Sequence, residues 1–194
     1  MKLKALGLAA VMAMALTAYA AGSASATTLE LGGVKHVAQI NVFMHLKTGT
    51  SAIWSRTDGS LANTCKESNI YFATNVGTGS TVTGPLSSLF FYTCDRSVEV
   101  HKEGTLHIAN ISGTTDGTVS SSGAEVTVGS PFGTLTCVTG TGVDLGRLTG
   151  TDGTPSTHAE MHVNAVLNCG FLVPSGTLKG TYIVTAPTNL GVSA

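Results

Sequence analysis

The residues best equipped for chemistry stand together at His158-Ala159-Glu160-Met161-His162. Two imidazoles and a carboxylate in so short a run invite comparison with zinc hydrolases. In those enzymes a helix presents two histidines one turn apart, and a glutamate directly follows the first. Here Ala159 occupies the glutamate's place. The residues around it also alternate with period two. Ala159, Met161, Val163, Ala165, Leu167 and Cys169 fall on one side, and His158, Glu160, His162, Asn164, Val166 and Asn168 on the other. That pattern predicts a half-buried strand with Cys169 turned inward. On a strand His158 and His162 stand about 13 Å apart, too far to share one ion. His158 with Glu160 would hold a metal only with help from a neighbouring strand. A metal-dependent hydrolase is therefore the remotest reading, and a solvated polar face is the expectation. His101 and His107, near Glu99 and Glu103, are read the same way.

Other catalytic patterns are missing pieces. Ser, His and Asp are all present, but no G-x-S-x-G elbow occurs and no α/β alternation exists to carry one. Ser120-Ser121-Ser122 before Gly123 reads as a flexible loop. Gly140-Thr141-Gly142 with Gly146 lacks the lysine of a phosphate-binding loop and the spacing of a dinucleotide fingerprint, so it reads as a turn. No catalytic residue, cofactor or metal ligand is assigned. The chain is expected not to be an enzyme.

The elements that would position these groups are strands. Helical periodicity is absent after the first 26 residues, while alternation recurs. It runs over 34–47, with Ile40, Val42, Met44 and Leu46 on one side. Leu89 to Cys94 is aromatic and apolar, like a central strand. Segments 105–111, 125–128, 133–139 and 177–186 complete the set. Thr-Asp-Gly at positions 57, 115 and 151 supplies turn signals. Short strands with turns between them predict an all-β, antiparallel sandwich or barrel-like domain.

The N-terminus predicts an address. Lys2 and Lys4 precede an apolar run from Leu6 to Ala21, and Ser23-Ala24-Ser25-Ala26 ends in the Ala-x-Ala pattern of a cleavage site. Residues 1–26 thus read as a secretory signal peptide and 27–194 as one secreted β domain. Removing the leader takes the formal charge from −1 to about −3, since 8 basic residues then face 11 acidic ones. No basic run is available to neutralise phosphates, which excludes a nucleic-acid partner. No later apolar run reaches the length of a membrane helix.

Export gives the four cysteines their reading. An even number in a secreted chain predicts disulfides. The favoured pairing is Cys65–Cys94 with Cys137–Cys169, each within one half of the chain. Zinc would need close pairs such as C-x-x-C, which are absent; buried free thiols are the other alternative. Trp54, Phe90, Phe91 and Tyr92 form the candidate interaction surface. On a strand, Phe90-Phe91-Tyr92 sends successive rings to opposite faces. The favoured expectation is burial on both faces, and the alternative is an exposed aromatic patch.

Several segments resemble a family of uncharacterised secreted actinobacterial β-rich proteins. They are Lys102-Glu103-Gly104-Thr105-Leu106-His107-Ile108, the stretch from Gly117 to Val128, and Pro131-Phe132-Gly133-Thr134-Leu135-Thr136-Cys137. Gly140 to Gly146 and Gly176-Thr177-Leu178-Lys179-Gly180-Thr181-Tyr182 continue the likeness, which spans roughly 94–192. That family implies no catalytic residues. The leader, the Thr/Gly-rich strands and the late Cys169-Gly170 are more distantly similar to small secreted alkane-oxidation-activator proteins. That likeness implies a surface-active accessory role. The leading functional expectation is an exported structural or surface-interaction protein that pairs with itself through strand edges or with cell-surface components. The alternative is a binding module for an apolar or glycan ligand.

Overall fold

A computed structural model describes residues 26–60, 62–75, 79–131, 133–153, 157–171 and 173–194. Apart from Ala26, the expected leader lies outside the described residues, as do Gly77 and Thr78 of one expected loop. The first strands are β1 (Thr28–Leu31), β2 (Val34–His36), β3 (Asn41–Leu46), β4 (Ala52–Arg56) and β5 (Asn63–Ala73). Next come β6 (Val82–Cys94), β7 (Val98–Lys102), β8 (Thr105–Asn110), β9 (Gly117–Ser122) and β10 (Glu125–Ser130). The last are β11 (Gly133–Val138), β12 (Val143–Thr149), β13 (Glu160–Leu167), β14 (Gly176–Ala186) and β15 (Leu190–Ser193).

The main sheet is a closed antiparallel barrel of eight strands. Its order around the wall is β3, β5, β6, β8, β9, β12, β13, β14, and β14 returns to β3. Barrel neighbours follow one another along the chain, so short connections suffice and the meander is up-and-down. β4 prolongs the line of β3. β3 pairs with β14 at Tyr182–Ala186 and with β5 at Asn69–Ala73, while β4 pairs with the same two strands lower down. Of the two expected architectures, barrel and sandwich, the barrel is realised.

Two excursions from the meander close the ends. β7 and the hairpin β10–β11 form a small sheet over one mouth. β1, β2 and β15 form another over the opposite mouth. Inward-facing side chains fill the space between: Val42, Met44, Phe72, Ile108, Val119, Leu148, Met161, Tyr182 and Val184 are all at most 2% exposed. Leu29, Leu190 and Val192 plug one end, and Ala124, Val126 and Val128 the other. Each large apolar side chain so buried contributes about 1.5–3 kcal/mol.

Both disulfides pair as the spacing suggested. Cys65–Cys94 crosses from β5 to β6, and Cys137–Cys169 joins the end of β11 to the residues after β13. The second therefore pins the β10–β11 hairpin to the barrel mouth, alongside the Val138 N–H to Asn168 carbonyl bond of 2.8 Å. Two disulfides place the chain in an oxidising compartment.

Several local expectations are corrected. Ser120-Ser121-Ser122 is no loop but the end of β9. Ser121 is buried against Thr139, and Ser122 meets the His107 ring at 2.9 Å. Hydroxyls small enough to face a packed interior conceal the alternation that would mark a strand. The alternating run over 34–47 is two strands, broken at 37–40 where the chain passes from an end sheet into the barrel wall. Gly146 lies within β12, at a bulge opposite β9. Its φ is +131°, and a Cβ there would stand 2.1 Å from the His162 carbonyl oxygen. Only glycine allows β13 to approach so closely.

Two outcomes follow. Cys137→Ala with Cys169→Ala removes the closure of a loop of about 30 residues, worth about 3–4 kcal/mol. Hydrogen exchange should then accelerate over β10 and β11, while β13 and β14 stay protected. Gly146→Ala should cost about 1–3 kcal/mol, read as a lower denaturation midpoint.

Candidate binding surfaces on the barrel wall and rim

The aromatic surface expected from the sequence divides between inside and outside. Trp54 and Phe91 turn into the barrel, 4% and 9% exposed, and meet edge to face at 5.2 Å. They are therefore not part of any external surface. Phe90 and Tyr92 turn outward and stack on each other, with centroids 5.8 Å apart and planes 25° from parallel. Phe90 is 48% exposed and Tyr92 43%. The favoured expectation of a strand buried on both faces is thus corrected: β6 is barrel wall, and nothing among the described residues covers its outer side. Thr93 adopts φ 50° just beyond the pair. Cys94 then lies opposite the fully buried Cys65, while Tyr92 stays outside opposite Glu67.

Phe90 belongs to a row that crosses the wall. Successive partners are Phe90–Asn69, Asn69–His45, His45–Ile183 and Ile183–Glu160. Each lies on the outward phase of its strand, since the flanking residues in β3, β5, β13 and β14 are buried. Four strand spacings separate Phe90 from Glu160, about 19 Å along the wall. Phe43 and Tyr71 add a tilted ring pair in the next row, at 6.2 Å.

At the far end of the row the histidine segment sits on the barrel rim. As expected, β13 is a strand that turns His162, Asn164 and Val166 outward. Lys47 binds Glu160 at 2.7 Å, and His162 Nε2 lies 3.7 Å from the other carboxylate oxygen. His158 Nδ1 lies 3.0 Å from the Val184 carbonyl. A carbonyl only accepts, so Nδ1 is the donor here, and in the neutral ring Nε2 keeps its lone pair. Among the described residues, no three His, Cys, Asp or Glu side chains converge to hold a metal ion.

These residues border an open cleft of about 410 Å³, lined by Thr115, Thr149, Gly150, Thr151, Asp152, Thr157, His158, Glu160 and His162. Sequence reasoning found its histidines and Glu160 but missed its threonines: Thr115 lies between β8 and β9, Thr149 ends β12, and Thr151 and Thr157 lie between β12 and β13. Asp116 braces the lining residue Gly150. It pairs with Arg147 and accepts from the Gly150 N–H at 2.9 Å. As its turn signal implied, Asp116 lies in the β8–β9 connection, which the Ile111 N–H closes on the Asp116 carbonyl at 2.9 Å and the Thr114 N–H tightens on the Ile111 carbonyl at 3.1 Å.

Inside the barrel an apolar cavity remains beneath the β7–β10–β11 sheet, lined among others by Trp54, Phe91, Val126, Leu145, Met161 and Tyr182. Its volume is about 60 Å³. An engineered cavity that admits benzene measures about 150 Å³. The interior is therefore packed core rather than a lipid pocket. The Tyr182 hydroxyl there donates to Ser68 Oγ at 3.1 Å, and burial pushes its pKa up to about 12.

No protein family, no curated protein and no solved structure matches the chain.

Tyr182 gives an alkaline signature. Its pKa is raised on folding, so its contribution to stability is complete below pH 10 and is lost as pH climbs towards 12. A phenolate absorbance titration should show one late tyrosine, absent in Tyr182→Phe.

Proposed function

We propose that this chain is an exported, non-enzymatic binding module whose outer wall attaches to polysaccharide. One observation carries the reading: the exposed, near-parallel Phe90–Tyr92 pair on a rigid closed wall. A sugar ring presents C–H groups on one face and hydroxyls at its rim. Aromatic faces attract those C–H groups, because the ring quadrupole is negative over the face. Asn69 and Glu67, directly opposite the two rings, offer an amide and a carboxylate to the rim hydroxyls. The apolar-ligand alternative loses ground because the interior cavity is less than half the volume that admits benzene. The Ala-x-Ala ending at Ala26 and the two disulfides support export to the cell surface or medium.

Self-association is the second reading, and one feature favours it. β2 is an edge of its small sheet, with Val34 63% exposed on it and Val37 58% exposed beside it. Concentration-dependent sedimentation that Val34→Lys abolishes would support it.

The polysaccharide reading is tested by depletion of residues 27–194 onto insoluble cellulose, chitin, xylan and cell-wall preparations. At least one should capture the protein, and Phe90→Ala with Tyr92→Ala should weaken capture about tenfold with little change in melting temperature. Capture by none of them, or capture the double variant leaves unchanged, would refute it.

A further inference from the structure

The rim cleft is independent of the aromatic pair, and its chemistry is of a different kind. Four threonines line it, together with Asp152, His158, Glu160 and His162. Hydroxyls both donate and accept, carboxylates accept, and His158 Nε2 accepts in the neutral ring. Glu160 is already balanced by Lys47. With four hydroxyls against two carboxylates, the lining suits a neutral ligand with many hydroxyls better than an ion. About 410 Å³ lies within the range of small-molecule sites, and it is large enough for a single sugar unit.

A second observation points to an occupant. Thr151 is 6% exposed, and its Oγ1 is buried without a hydrogen-bond partner. Its backbone N–H is already engaged, on the Leu190 carbonyl at 3.0 Å. The neighbouring wall is sewn to β15 by the Val192 N–H on the Thr115 carbonyl at 2.9 Å. A buried hydroxyl without a partner is costly, and it is the kind of group that a bound ligand satisfies. Thr151 itself lines the cleft, and a change of its χ1 from one staggered well to the next, about 120°, is what would turn this hydroxyl to an occupant. Gly150 keeps the floor thin: a Cβ there would stand 1.9 Å from the Thr115 carbonyl oxygen.

We infer that the rim cleft is a second binding site, which takes one neutral, polyhydroxylated unit such as a monosaccharide or the end of a glycan chain. The choice of sugar as ligand class rests on the polysaccharide reading of the wall. The two surfaces lie on opposite sides of the barrel, because β6 and β13 are four strands apart in either direction round the wall, so the cleft takes its sugar unit independently of the aromatic pair.

The test is an NMR titration of residues 27–194 with glucose, galactose, N-acetylglucosamine, xylose and their short oligomers. It follows the Thr151 methyl and the His158 and His162 rings. At least one sugar should produce saturable shifts at all three. Thr151→Val keeps the shape and removes the unpaired hydroxyl. It should weaken binding at least fivefold while the melting temperature holds or rises, whereas a merely structural hydroxyl would lower it on removal. Phe90→Ala with Tyr92→Ala should leave monosaccharide shifts at the cleft unchanged. Absence of saturable shifts at the cleft with every sugar, or equal affinity in Thr151→Val, would overturn the inference. Neither result bears on capture by insoluble polymers, where the wall reading stands or falls separately.

Discussion

Closure of the barrel is the constraint on which the rest depends. The ladder that completes it joins β13 to β14 over eight residue pairs, from Glu160–Ile183 to Leu167–Gly176. Once that ladder forms, the main sheet has no free edge, and its wall presents side chains rather than unpaired backbone groups. Closure also creates two mouths that must be stopped. The chain does so with its own excursions, β7 and β10–β11 at one end and β1, β2 and β15 at the other. Cys137–Cys169 belongs to the same logic. It ties one of those stoppers to the strand that closes the wall.

A filled interior moves binding to the outside. With Tyr182, Phe72, Met44 and Met161 packed inside, the residues left to meet a partner are those on the outward phase. Closure decides which of them become neighbours. His45, Asn69, Phe90, Ile183 and Glu160 come from five strands, and antiparallel register lines them up in one row. Regular pairing is also interrupted where it has to be. β3 and β4 share one barrel position across a loop, and Gly146 bends β12 so that β9 and β13 can both lie against it.

Legibility in the sequence followed the strength of side-chain contrast. β13 could be read with its correct inward face because Met161, Val163, Ala165 and Leu167 alternate with polar residues. β14 and β10 were legible for similar reasons. β9 was not, because Ser121 is buried and Ser120 and Ser122 have the same chemistry, which leaves no contrast to detect. β4 escaped too, although it carries Trp54, because five residues between two turns show little period. Of the candidate surfaces, the histidine segment and the aromatic run were both visible. That Trp54 and Phe91 face inward, and Phe90 and Tyr92 outward, needed the phase of β6 relative to the core.

The sequence by itself determined the all-β class and the absence of helical patterning, and it favoured one of three pairings of the four cysteines. These depend on local periodicity and on the distance along the chain between cysteines. Only the tertiary structure decided that the sheet closes into a barrel, that its mouths are stopped, and that a polar cleft and an aromatic pair fall on opposite sides of it. Those outcomes depend on register between strands far apart in the chain, and register is set by the packing of all the inward faces at once.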